Sequence, residues 1–221
     1  MVRFLVGAAC GLAFAAGVWM HDRKMLNTSF QPDPTHVVEL VGQVDGYCSG
    51  TLYGAGLVLT AAHCFDDGLP PLVLRDGKRH PTSVLWANRE YDVAMLLVDG
   101  LSAPTVSFSC LDPRVGDVVV TAGYSAITDL NHYFFWGRVA GPAERRGEPG
   151  KVDKDDKPIP SWPWSMVVDV ITIPGQSGSG VWSMGGKVVG IIVGGWKTTN
   201  PGIIVPGSTI CTLMEQNRKD Q

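Results

Sequence analysis

The sequence predicts an all-β protein: two six-stranded antiparallel barrels followed by one short helix. Three observations predict it. From His36 onward the chain is a succession of short apolar or alternating runs punctuated by glycine, at the close spacing of small closed or nearly closed barrels. Helical periodicity is almost absent until the last segment. The runs fall into two sets separated by a turn-rich linker, and 221 residues are enough for two small barrels sharing a core.

The first twenty residues differ in kind from the rest. Arg3 precedes an apolar run from Phe4 to Met20 that contains the small-residue triplet Ala13-Phe14-Ala15, the pattern of an export signal. Two outcomes are consistent with it. A signal peptidase would cut after Ala15, or the run is retained as a membrane tether through residues 4–20. Its seventeen residues, at about 1.5 Å each, give roughly 26 Å, near the lower limit of a spanning helix. Arg23 and Lys24 beyond the run oppose Arg3 before it, so the positive-inside rule leaves orientation open. Residues 21–35 read as a linker.

Barrel one is expected over residues 36–101, with strands at Val37–Val44, Gly50–Tyr53, Gly56–Thr60, Leu72–Leu74, Thr82–Trp86 and Val93–Val98. A linker, residues 102–116, carries Cys110. Barrel two, residues 117–207, has strands at Val118–Ala122, Tyr133–Val139, Ser165–Val170, Gly180–Ser183, Val188–Val193 and Gly202–Val205. Gly141–Pro163 breaks the pattern. Its prolines, glycines and the cluster Lys151, Asp153, Lys154, Asp155, Asp156 and Lys157 predict a long exposed loop, either a substrate contact or cleavage site or a solvated insertion without a role. The tail, residues 208–218, is the helix, with Ser208 or Thr209 as its cap.

The formal charge of −3 and an isoelectric point near 5.9 provide no basic field for a phosphate backbone, so no nucleic-acid partner is expected. Nothing in the sequence asks for a cofactor or a metal. Cys10 lies inside the apolar run, where Gly7 stands in place of the larger apolar residue of a lipid-attachment motif, and is read as membrane packing. The four remaining cysteines allow three connectivities, among which the residues themselves do not choose. They favour an oxidising, exported destination over free thiols in the cytosol.

Three stretches carry chemistry: Thr60-Ala61-Ala62-His63-Cys64, Tyr91-Asp92-Val93-Ala94-Met95-Leu96-Leu97, and Pro174-Gly175-Gln176-Ser177-Gly178-Ser179-Gly180. A serine hydroxyl becomes a useful nucleophile when an imidazole takes its proton, and the imidazole needs a carboxylate on its other nitrogen to fix its tautomer. Ser177, His63 and Asp92 supply those parts. Each alone has a bland explanation, as a turn serine, a packed histidine and a strand-end aspartate. Their conjunction in the order His, Asp, Ser is what separates them from hydrolases that use other orders.

On these motifs the chain resembles the trypsin/chymotrypsin-like serine peptidases from about His36 to the C-terminus. Cys48-Ser49-Gly50-Thr51-Leu52 with Leu57 to Cys64, and Pro201-Gly202-Ile203-Ile204-Val205 before the tail, resemble the family's histidine-loop staple and its last strand. The resemblance implies a chymotrypsin-like pair of barrels over residues 36–221. It implies a serine endopeptidase acting on a protein or peptide substrate, with Ser177 as nucleophile, His63 as base and Asp92 as orienting acid. It further implies disulfides Cys48–Cys64 and Cys110–Cys211, and an oxyanion hole made by the amides of Gly175 and Ser177. By family position Ile171 and Thr172 form the floor and wall of the P1 pocket, and Val193, Gly194 and Gly195 pair with substrate backbone.

Departures from the family refine this. Digestive members carry an aspartate immediately before the nucleophile, which pairs with a freshly cut N-terminus. Gln176 has no charge to pair, so the site is expected to form without processing, as in bacterial and viral relatives. Gly180 replaces a usual proline. With no carboxylate at the pocket floor and Ile192 where acid-specific relatives carry a histidine, an apolar P1 residue is expected. The alternatives are a catalytically silent peptidase-fold binding protein and a virion- or membrane-associated structural protein. A filled triad argues against the first, and retention of the apolar N-terminus would favour the second without excluding catalysis.

Overall fold

The computed structural model of the chain describes residues 30–42, 46–65, 69–102, 104–126, 133–146, 162–195 and 201–219. Thirteen strands and one α-helix make up nearly all of the regular structure among them. The first sheet contains β1 (Val37–Val41), β2 (Tyr47–Gly54), β3 (Leu57–Thr60), β4 (Leu72–Arg75), β5 (Lys78–His80), β6 (Thr82–Asn88) and β7 (Val93–Val98) in the order β5-β4-β1-β2-β3-β7-β6. The second contains β8 (Val118–Gly123), β9 (Tyr133–Arg146), β10 (Trp162–Val168), β11 (Gly180–Ser183), β12 (Val188–Gly195) and β13 (Gly202–Pro206). Its order, β10-β13-β12-β11-β8-β9, closes on itself as a six-stranded antiparallel barrel.

The structure corrects the sequence reading at four places. The first sheet has seven strands rather than six and stays open, a half-barrel. Its extra strand, β5, pairs with β4 around Asp76 and Gly77, both at positive φ (52° and 71°), the backbone of a tight hairpin turn. Lys-Arg-His carries no apolar alternation because β5 is an edge strand with little to bury. Second, β9 continues through Gly141–Arg146, where a loop was expected, and pairs with β10 at Ser165↔Glu144 and Trp162↔Arg146. Arg146 holds this outer ribbon by donating to the Pro142 carbonyl and pairing with Glu144, both at 2.9 Å. Third, the helix α1 spans Gly207–Lys219, so Ser208 and Thr209 lie in its first turn and do not cap it. A side chain at Gly207 would run into the Ser109 carbonyl, which fixes glycine there. Fourth, β1 ends at Val41, short of the expected Val37–Val44. Val44 itself, residues 147–161 of the expected loop and the apolar run Phe4–Met20 lie outside the described residues, where the sequence readings remain expectations. Among the described residues no helix is long and apolar enough to cross a membrane.

Side-chain alternation builds three cores and places the seam between the sheets. Along β3, Val58 joins Val38, Leu40, Leu52 and Leu96 inside the first sheet, while Leu59 points the other way. Along β12, Ile192 faces the barrel interior with Val139, Val168, Val181 and Ile204, while Ile191 and Val193 face out. The outward set, Leu59, Val93 and Met95 with Ile191, Val193, Ile203 and Val205, is sealed by Ile210 and Leu213 of α1. Each such side chain contributes about 1.5–3 kcal/mol by leaving water. This shared core fixes the end of β3, the start of β7 and the approach to β11 against one another.

Two disulfides tie down the ends of this frame. Cys48–Cys64 spans 16 residues and Cys110–Cys211 spans 101. In the chain-entropy model such loops correspond to ~3 and ~4.7 kcal/mol.

Candidate active site

His63 sits in a short 3-10 turn, Ala62–Phe65, immediately after β3. Small, buried Ala61 and Ala62 let this turn press into the seam. Cys64 is bonded to Cys48 on β2, and Arg89 donates to the Ala62 carbonyl (2.8 Å) while lying over the Phe65 ring. Asp92 is the residue before β7 and adopts φ +58°, a left-handed conformation that aspartate tolerates better than most residues. From there its Oδ1 accepts from the His63 amide (2.8 Å), and its carbonyl accepts from the Ala62 amide at 3.2 Å. Its Oδ2 lies 2.6 Å from His63 Nδ1. A carboxylate only accepts, so Nδ1 carries the proton and Nε2 is left as an acceptor. Ser177 Oγ stands 2.8 Å from that Nε2. The side chain of Asp92 is 15% exposed and that of His63 39%, so the carboxylate is shielded while the ring stays open to solvent.

Ser177 lies on the turn between β10 and β11. Gly175 (φ +98°) and Gly178 (φ +85°) take conformations that side chains resist. At Gly178 space is also closed: a Cβ would meet the Ser49 carbonyl, the Thr60 hydroxyl and, at 3.1 Å, the Ala61 amide. The turn is stitched to both sheets, since Ser49 N donates to Ser177 O (2.8 Å) and Gly178 N donates to Ile192 O (2.7 Å). Among the described residues the amides of Gly175 and Ser177 meet no acceptor, whereas the Gln176 amide donates to Ile173 O.

Gln176 is 1% exposed, and its carboxamide points into a buried polar cluster beneath the turn. There the Tyr133 hydroxyl lies 3.2 Å from Ser179 Oγ, with Ser49 alongside. Burial pushes the Tyr133 phenol well above its ordinary range. Burial, reinforced by the Glu39 carboxylate, likewise raises Tyr124 to about 12, so both tyrosines stay neutral near pH 7. Glu39 on β1 is itself raised by burial.

The expected pocket residues come together only in part. A side chain at Gly195 would run into Thr172, and one at Gly202 would meet Thr172 Cγ2 at 3.1 Å, so Thr172 packs against the end of β12 and the start of β13. Ile171 is 52% exposed at the surface. Val193 buries its side chain in the seam and sits in a bulge between Ile192 and Gly194. Cys48, His63 and Cys64 have their ligand-type atoms near one another, but both sulfurs are spent in the disulfide, so the trio is no thiolate metal site. Sequence reasoning missed Ser49 and Arg89, because a strand serine and a turn arginine carry no pattern that marks them as supports.

The model of the trypsin-like peptidase domain matches residues 48–191, which takes in the Cys48–Cys64 staple, His63, Asp92 and Ser177. A search of curated proteins by sequence found no match. Solved structures similar to this chain include the Rv3671c protease in an inactive form, at a TM-score of 0.68 and 21% identity over 85% of this chain and 97% of that one. The active form of the same protease, from M. tuberculosis, matches at 0.66 and 19% over 84% and 87%. A serine endoprotease from Yersinia pestis matches at 0.67 and 19% over 88% and 66%. At these identities the likeness is one of fold.

Proposed function

Since the chain belongs to the trypsin-like peptidase family and is a serine endopeptidase, we propose that it cleaves peptide bonds through an acyl-enzyme on Ser177. The observation that carries this reading is the continuous relay from Asp92 Oδ2 through the His63 ring to Ser177 Oγ. Ser177 Oγ attacks the scissile carbonyl carbon while His63 Nε2 takes its proton. Asp92 stabilises the resulting imidazolium and holds its orientation. The carbonyl oxygen, now an anion, is received by the amides of Gly175 and Ser177, each worth ~3 kcal/mol or more in such sites. Collapse of the tetrahedral adduct breaks the C–N bond, and the proton on Nε2 passes to the leaving amine. Water then enters, gives a proton to His63, and the same sequence run with water as nucleophile releases the acid and restores Ser177.

The substrate strand is received by the backbone of Val193, Gly194 and Gly195, with Ile171 and Thr172 lining an uncharged P1 pocket. The two disulfides suggest an oxidising, exported environment. The apolar run Phe4–Met20 fits export or tethering. Peptide hydrolysis by Ser177→Ala, His63→Ala and Asp92→Asn tests the relay. Each substitution should lower turnover by several orders of magnitude with the fold intact, because the three act as a unit. Wild-type turnover in Ser177→Ala would remove the assignment.

A further inference from the structure

The oxyanion amides proposed above are held by a brace that the relay does not use. In a trans peptide the N–H points opposite to the C=O of the preceding residue, and every described peptide bond is trans. The Pro174 carbonyl is fixed by the Ala126 amide at 2.9 Å, which turns Gly175 N–H the other way. The Gln176 carbonyl is fixed by the Ser179 amide at 2.9 Å, which does the same for Ser177 N–H. The direction of both donors thus depends on where the Gly175 segment is anchored and on the Tyr124–Ala126 segment beside it.

One hydroxyl joins the two segments. Ser49 Oγ donates to the Gly175 carbonyl (2.8 Å) and accepts from the Tyr124 amide (2.8 Å), and the residue is wholly buried. Its own amide donates to Ser177 O, and its carbonyl accepts from Thr60 Oγ1 at 2.9 Å, so it is rooted in the first sheet beside the histidine turn. Space around it is filled: a Cβ at Gly123 would run into Ser49 Oγ, the Tyr133 hydroxyl and Ser179 Oγ together.

We propose that Ser49 is a positioning residue for the oxyanion site, its hydroxyl locking the Gly175 carbonyl to the Tyr124–Ala126 segment so that the amides of Gly175 and Ser177 stay aimed at the substrate oxygen. This rests on the acyl-enzyme reading and adds how the site is held without the charged pair that Gln176 cannot make. Removing the hydroxyl leaves the triad in place, takes one partner each from the buried Gly175 carbonyl and the part-buried Tyr124 amide, and loosens the Gly175–Gln176 peptide that joins the two donor-bearing peptides.

The test compares wild type with Ser49→Ala and Ser49→Thr, using a peptide substrate and a peptide aldehyde of matching sequence, whose hemiacetal oxygen needs both amides. Wild-type hydrolysis of the peptide is the separate check on the catalytic reading. Given that activity, Ser49→Ala should lower kcat about ten- to a hundredfold, short of the ~10²–10³ lost when a donor is deleted outright. KM should change little, aldehyde affinity should fall in parallel with kcat, and Ser49→Thr should recover most of both. Ala126→Pro removes the amide donor to Pro174 at an exposed position and should give the same signature, which keeps the proposal testable if Ser49→Ala does not fold. Thr82→Val deletes a hydroxyl bond to Pro71 O (2.6 Å) remote from the turn and should shift only the unfolding midpoint. Unchanged kcat and aldehyde affinity in folded Ser49→Ala, or in Ala126→Pro, would overturn the proposal.

Discussion

Gly178→Ala probes how the turn that carries Ser177 is built. Gly178 has φ +85°, and its Cβ position is occupied by the Ser49 carbonyl, the Thr60 hydroxyl and the Ala61 amide, two of them backbone atoms that cannot swing aside. A left-handed alanine costs roughly 1–2 kcal/mol, and forcing a methyl into filled space adds about 1–3 kcal/mol. The sum, about 2–5 kcal/mol, is a large share of the ~5–15 kcal/mol that holds an ordinary domain together. Gly77→Ala is the matched comparison, because Gly77 shares the positive φ (71°) but has nothing within 4 Å of its Cβ position. Its cost should be the conformational part alone. Urea unfolding of both variants, read alongside peptide hydrolysis, should show Gly178→Ala less stable by about 1–3 kcal/mol than Gly77→Ala. It should also be far less active, since relief of the clash moves Ser177. Equal stability and full activity in the two would refute the close packing of this turn on the histidine strand.

Further outcomes follow from the same geometry. Protein beginning near Thr28 behind an uncleavable tag should hydrolyse peptides as well as the untagged form, because Gln176 cannot pair with a new ammonium; strict dependence on a released N-terminus would contradict this. A P1-scanning peptide library should favour Leu or Phe, whose burial is worth about 1.5–3 kcal/mol, or roughly ten- to a hundredfold over a small residue. Dominant cleavage after Arg, Lys or Glu would mean that a loop charge reaches the pocket. Burial raises Glu39, so the fold binds its proton more tightly than the unfolded chain does, and ionisation above about pH 4 costs stability. Glu39→Gln should therefore melt higher than wild type at pH 7 and lose that advantage near pH 3.5. A lower midpoint at pH 7 would show a stabilising role for the carboxylate.

Much of the fold was legible because burial on both faces writes itself into sequence. β7 was read to the residue: Val-Ala-Met-Leu-Leu-Val serves the first core with one face and the seam with the other, between Asp92 and the Asp99-Gly100 turn. β5 was invisible because an edge strand of Lys, Arg and His satisfies its backbone on one side and buries almost nothing. The outer half of β9 read as loop because Pro142, Glu144 and Arg145 stand on a ribbon beyond the barrel wall, where pairing needs no apolar side chains. In the site, His63, Asp92 and Ser177 each sit in a local motif that is bland alone, and only the conjunction of the three in that order marks them. Their distances depend on contacts across 29 and 114 residues, which no local pattern encodes. Ser49 lies in the stretch that resembles the histidine-loop staple, but nothing there singles out its hydroxyl, whose two bonds exist only where two sheets and a turn meet.

The most direct measurement of the central claim is labelling with a fluorophosphonate probe, which reacts with a serine only when a base and an oxyanion site activate it. Intact wild-type protein should be labelled at Ser177, with heat-denatured protein and Ser177→Ala unlabelled. Labelling of Ser177→Ala equal to wild type, or no labelling of correctly folded wild type, would contradict an activated nucleophile at this position.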